Sequence, residues 1–133
     1  MIGLDTNVIL RHLLQDDPIQ SPAATALIEG QLSETRPGFV SVVAMVETVW
    51  VLTRVYRFTN SEIAAAVERL LQVGVLVIEN APEVFAAMVM VKSGRGSFAD
   101  ALIGALGAGA GCTPTVTFDK AALRLDAFGP VSS

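Results

Sequence analysis

The chain has 133 residues, with 9 basic and 13 acidic side chains and a net charge of −4. That length is about one ordinary domain, and 52% hydrophobic against 17% charged residues excludes a chain kept disordered by its own charge. The acidic balance excludes a broad basic footprint for gripping duplex nucleic acid, and the single cysteine, Cys112, excludes an internal disulfide.

In chain order, Met1 to Leu4 is a short apolar run that ends at Asp5, a candidate buried strand. Thr6 to Leu14 has helical spacing, with Val8, Ile9 and Leu13 on one side. Pro18 and Pro22 bracket a turn before a second helix from Ser21 to about Glu29. Phe39 to Ser41 reads as a strand feeding a long helix from about Val42 to Tyr56. Asn60 and Ser61 are N-cap candidates for a helix ending near Gly74. Val75 to Ile78 is four consecutive apolar residues, three of them β-branched, the pattern of a buried parallel strand. Helices follow at Ala81 to Val91, with Pro82 in the first turn, and at Ser97 to about Ala110. A strand at Thr115 to Phe118, a helical turn at Ala121 to Leu125 and an edge strand around Val131 complete the order. Strands alternating with helices imply a parallel sheet covered on both faces, and in such sheets sites form at the carboxyl ends of the strands.

Four acidic residues stand out against this background. Asp5 and Asp119 each follow a predicted strand. Glu47 is the only charged residue between Arg36 and Arg54, and Asp100 the only one between Arg95 and Asp119. An ionised carboxylate in an apolar helix is costly to bury unless it is paired or bound to a metal. Plainer roles exist for three of them. Asp5 and Asp119 suit helix N-caps, and Asp100 stands three residues after Ser97, a capping-box spacing. Glu47 sits mid-helix, with Val43 and Val51 one turn away and no local cation nearer than Arg54; its plainer role is an exposed stripe. Taken together, four carboxylates from four segments suit a hard cation such as Mg²⁺ or Mn²⁺, which prefers carboxylate and water oxygens. One histidine and one cysteine do not make a zinc site. Without these four charges the chain would be neutral.

Ile2-Gly3-Leu4-Asp5-Thr6-Asn7-Val8, the Val46-Glu47 pair in its Ser-Val-Val-Ala-Met-Val-Glu-Thr helix, Phe98-Ala99-Asp100-Ala101-Leu102-Ile103 and Thr117-Phe118-Asp119 occur in this order. Together they resemble the four acidic motifs of PIN-domain ribonucleases of the VapC toxin type, from Met1 to about Val131. The resemblance implies a single PIN domain over residues 1–133. Its fold would be a PIN-like three-layer α/β/α sandwich with a mainly parallel central sheet of four to five strands. It also implies an Mg²⁺-dependent (or Mn²⁺-dependent) endoribonuclease, the toxin of a type II toxin–antitoxin pair, cleaving RNA by metal-activated water. Asp5, Glu47, Asp100 and Asp119 would form the catalytic and metal-binding cluster, with Thr6, Asn7 and Thr117 as polar support. The partners implied are an RNA substrate, a cognate VapB-like antitoxin and a second copy of the chain.

Other features are weaker. Gly107-Ala108-Gly109-Ala110-Gly111 follows a helix instead of opening one, so helix termination and close packing explain it better than a phosphate loop. Arg11, Arg95 and Lys120 lie close in sequence to the acidic positions and are the RNA-contact candidates. His12 reads as a surface or core residue, and Trp50 and Tyr56 as core or interface. The mean hydropathy of +0.56 is high, so apolar helices such as Ile63 to Leu71 and Phe85 to Val91 are expected to bury more than one face against partners. No basic leader precedes the first apolar run. The longest weakly charged run, Pro37 to Thr53, is broken by Glu47, so a soluble, cytoplasmic protein without a membrane span is expected. Two alternatives compete. A catalytically inactive PIN-like interaction module would be expected to have lost one of the acids. In a phosphoacceptor receiver domain the lysine should end a strand by itself, whereas Lys120 directly follows Asp119.

Overall fold

The computed structural model describes residues 1–132, and the chain forms two compact units. One contains Met1–Arg57 and Arg69–Glu79; the other contains Phe58–Glu68 and the described residues from Asn80 onward.

The first unit is built on three short parallel strands. These are β1 (Ile2–Gly3), β2 (Gly38–Val40) and β3 (Leu76–Ile78), with β2 in the middle. Ile2 lies opposite Gly38, and Val40 opposite Ile78. Helices α1 (Thr6–Leu14), α2 (Gln20–Ala26) and α3 (Val42–Arg54) accompany them, and α1 packs on both of the others. The core gathers Leu4, Ile9, Leu10, Val40, Met45 and Leu52, all buried. On α1 the buried stripe falls on Ile9 and Leu10, with Val8 and Leu13 only half-buried.

Helix α2 starts one residue earlier than its sequence pattern indicates. Asp17 Oδ1 accepts the backbone N–H groups of Ile19 and Gln20 at 2.9 and 2.7 Å, closing the turn before it. After Ala26 the helix widens into a π-turn over Leu27–Gln31, where Leu32 N–H donates to the Leu27 carbonyl. Ser41 caps α3 by accepting from Ala44 N–H at 3.0 Å. The Val42 N–H is satisfied from far along the chain, by Glu79 Oε1 at 2.8 Å. The helix stops at Arg54 instead of Tyr56, because the chain turns through a left-handed Arg57.

Helix α4 (Asn60–Gln72) begins in the second unit and ends in the first. Neither Asn60 nor Ser61 is its N-cap. Thr59 takes that role: its Oγ1 accepts from Glu62 N–H at 3.2 Å, and Glu62 Oε1 accepts from Thr59 N–H at 2.9 Å. This reciprocal pair satisfies two amides that the first helical turn leaves open.

The second unit continues with α5 (Ala81–Lys92) packed on α6 (Phe98–Gly109), then β4 (Thr115–Thr117), a 3₁₀ turn at Ala122–Arg124, and β5 (Phe128–Pro130). Strands β4 and β5 pair in parallel, Thr115 opposite Phe128 and Thr117 opposite Pro130. The last strand therefore sits just before Val131, and its proline is tolerated at an edge. Gly107 explains part of the glycine run: a Cβ there would collide with the Thr115 hydroxyl. The class is α/β with parallel strands interleaved with helices, as expected. Among the described residues the strands hydrogen-bond in a set of three and a set of two.

Candidate active site

In the first unit, Asp5 follows β1 and serves as the N-cap of α1, with extended backbone geometry and Oδ1 accepting from Thr6 N–H at 2.9 Å. This is a cap onto the next residue, whereas capping side chains usually reach the second or third helical amide. The carboxylate is exposed, while Thr6 beneath it is buried. Asn7 is exposed and lines a cavity of about 380 Å³ together with Val8, Arg11, Gln20, Ala23 and Leu27. Glu47 stands on the exposed face of α3, in a row with Val43, Trp50 and Arg54 at helical spacing. Val43 is 77% and Trp50 58% exposed, so the tryptophan does not belong to the core. Glu47 makes no hydrogen bond or ion pair among the described residues.

In the second unit, α6 starts at the N-cap Ser97, whose Oγ accepts from Asp100 N–H at 3.1 Å. Asp100 returns no bond to Ser97. Its half-buried carboxylate is held over the first turn of a helix, where the positive end of the macrodipole favours a negative charge. Asp119 follows β4. The Thr117 hydroxyl accepts from Asp119 N–H at 2.9 Å, and Asp119 Oδ1 accepts from Ala121 N–H at 2.8 Å. Thr117 therefore fixes the turn that carries Asp119 and does not touch its carboxylate. One carboxylate oxygen of Asp119 is occupied by the turn and the other has no protein partner among the described residues.

The loop entering α6 faces the turn after β4 across a cavity of about 330 Å³ lined by Gly94, Arg95, Gly96, Ala121 and Arg124. Gly96 makes that approach feasible. Its φ of +146° disfavours any other residue, and a Cβ there would lie 3.3 Å from Leu125 Cδ1. Arg95 is exposed at this cavity. Arg124 joins it from the 3₁₀ turn, a residue that local sequence pattern does not single out. Lys120 is exposed and has no hydrogen-bond or ion-pair partner among the described residues.

Arg11 is the RNA-contact candidate already engaged. Its Nη1 lies 2.9 Å from Asp16 Oδ1, in the only ion pair among the described residues. Its Nε is buried without a hydrogen-bond partner. Tyr56, held close by its own hydrogen bond to Asp16, joins Asp16 in raising the guanidinium pKa above its ordinary value. His12 is buried, with Nδ1 3.2 Å from Thr25 Oγ1, and burial pushes its pKa below the ordinary imidazole value.

None of Asp5, Glu47, Asp100 or Asp119 is paired with a protein cation among the described residues. A set of carboxylates with unshared oxygens and no protein counter-charge is the donor chemistry that a hard divalent cation takes. No group of three or more His, Cys, Asp or Glu side chains among the described residues stands close enough together to hold an ion. The family model of the PIN domain matches residues 2–127. The chain belongs to the PIN-domain family. A comparison with curated proteins finds no match, and neither does one with solved structures. A PIN domain is a nuclease-type fold, which puts this chain in the coarse class of nucleic-acid-acting hydrolases. No helix among the described residues is long and apolar enough to cross a membrane.

Proposed function

We propose that this PIN-domain protein is a metal-dependent endoribonuclease acting as the VapC-type toxin of a type II toxin–antitoxin pair. The observation that carries the reading is the match of the PIN-domain family model to residues 2–127, within which these four acids make no ion pair among the described residues. Four acids from four segments in a fold of this family suit the oxygen-donor chemistry of a hard divalent ion. Asp5, Glu47, Asp100 and Asp119 are the proposed ligands of Mg²⁺ or Mn²⁺, although no three of them stand close enough together to hold one ion among the described residues. When bound, such an ion supplies Lewis acidity toward water and toward the charge that builds on the scissile phosphate.

The remaining work belongs to the chain. Thr6 N–H donates to the Asp5 carboxylate itself, and the Thr117 hydroxyl accepts from Asp119 N–H and so fixes the turn that carries that carboxylate. Ser97 fixes the first turn of α6 and so aims Asp100. In-line attack by water on the phosphodiester would need no protein nucleophile. The exposed apolar residues support the proposed partners, a second copy and a VapB-like antitoxin working in the cytoplasm. Phe85 and Val89 face outward on α5, while Val84, Ala87, Met88 and Val91 fill the core.

Purified protein incubated with total cellular RNA in Mg²⁺, Mn²⁺ or EDTA tests the reading, with Asp5→Ala as the control for a contaminating nuclease. Discrete, metal-dependent fragments absent from the variant are the expected result. Folded, antitoxin-free protein that cuts nothing in either metal overturns it, and leaves the inactive interaction module as the better account.

A further inference from the structure

We infer that the cavity between Gly94–Gly96 and Ala121–Arg124 is a phosphate-binding subsite, in which Arg95 and Arg124 together hold a backbone phosphate of the RNA strand beside the cleavage site. The inference deepens the proposed function and rests on its RNA substrate. It begins from Arg95 and Arg124, which both line one cavity of about 330 Å³ and make no ion pair among the described residues. Two like charges brought to one concave surface repel unless an anion sits between them, and guanidinium groups match phosphate oxygens with paired N–H donors.

Three carboxylates are near in sequence, Asp100, Asp119 and Asp126, and none makes an ion pair with either arginine among the described residues. Asp119 gives one oxygen to Ala121 N–H, a residue that itself lines the cavity. The subsite is thereby joined to one proposed metal ligand through a single turn. On the other wall, Gly96 is followed by Ser97, the cap that positions Asp100. The cavity walls are fixed from both sides. Gly94 and Gly96 hold φ of +72° and +146°, and Leu125 packs on Gly96. Leu125 N–H in turn donates to the Ala122 carbonyl at 2.9 Å, closing the 3₁₀ turn that presents Arg124. A surface arginine that served solubility alone would need neither glycine geometry nor a facing partner. The chain is net acidic, so a strand drawn toward four carboxylates needs a local cationic anchor, and this cavity supplies one.

The test is binding of a labelled ten-nucleotide single-stranded RNA to the whole protein, in EDTA and again in Ca²⁺. Arg95→Ala and Arg124→Ala are each expected to weaken binding about tenfold, the effect of losing a charge-assisted hydrogen bond. The double variant is expected to lower the slope of log affinity against log salt by about 0.7, the value for one single-strand phosphate. Arg124→Lys, which keeps the charge, is expected to recover most of the slope and part of the affinity. Melting temperatures equal to the parent show that the fold is intact; Arg95 lies on an exposed loop, so its variant keeps the test valid if Arg124→Ala unfolds. Binding by the double variant equal to the parent, or no RNA binding by the parent in either condition, overturns the inference. RNA held through the two arginines but never cut in Mg²⁺ or Mn²⁺ defeats the nuclease reading and leaves the subsite standing. Cleavage by the double variant with unchanged KM does the reverse.

Discussion

Two helices in the second unit start with the same four-residue spacing and treat their acids differently. At the start of α4, Thr59 and Glu62 close on each other, hydroxyl to amide and carboxylate to amide, at 3.2 and 2.9 Å. At the start of α6, Ser97 gives its hydroxyl to Asp100 N–H at 3.1 Å, and Asp100 gives nothing back. The return bond needs the length of a glutamate, and an aspartate is one methylene short. The lesson is that a capping-box spacing identifies the start of a helix without identifying the task of its acid. Glu62 is consumed by the helix, whereas Asp100 is placed by the helix and left free. Asp17 is a third case: both its accepted bonds are spent on the turn into α2.

The largest effect expected from this difference is on activity. Asp100→Asn should lower metal-dependent cleavage by about 10² to 10³-fold, in the range for losing one electrostatic contributor to a transition state, while Glu62→Gln leaves it unchanged. Cleavage rates measured side by side on one RNA check this, and equal losses in the two variants would erase the distinction. Asp100→Glu sharpens it further. The longer side chain can close the box, so the protein should gain stability and still lose activity.

The next effect is on stability. Thr59→Ala removes one bond of a reciprocal pair and frees the other, and should cost about 1–2 kcal/mol, against about 1 kcal/mol for Ser97→Ala. Urea unfolding of the two variants measures the difference. A larger loss at Ser97 would mean that Asp100 is more of a cap than its geometry indicates.

The smallest effect is on pH dependence. The Gln20 and Ile19 amides hold the Asp17 carboxyl below its ordinary value. The folded state therefore binds fewer protons than the unfolded chain across that interval. The contribution is fully present above the ordinary aspartate value, near pH 4, and is lost as pH falls through the lowered one. Asp17→Asn should flatten the acid limb of the melting-temperature profile in that window.

Much of the fold was legible because its cues are local. The apolar run before Asp5, the β-branched run before Ile78 and the serine three residues before Asp100 each fix an element boundary by chemistry within a few residues. The start of α4 was misplaced because Asn60 and Ser61 are strong cap formers, and only the reach of Glu62 decides in favour of Thr59. The division of strands into sets of three and two is a matter of pairing between distant segments, which no local pattern encodes. The same holds for the site. Asp5 and Asp119 were visible as acids after strands. Arg124, on a short 3₁₀ turn, comes to line the same cavity as Arg95 through a fold in which Leu125 packs onto a glycine some thirty residues earlier in the chain.

The hydrogen bond from Val42 N–H to Glu79, 37 residues apart, bears on the order of assembly. Ser41 can cap α3 as soon as the helix forms, but its first amide waits for the end of β3. A chain emerging from the ribosome therefore carries the Glu47 helix with its first amide bonded only to water until Glu79 has been made and β3 has docked beside β2. Long-range closure of this kind is slow compared with helix growth. The nascent first half thus remains an unfinished nuclease while the rest of the chain is being translated.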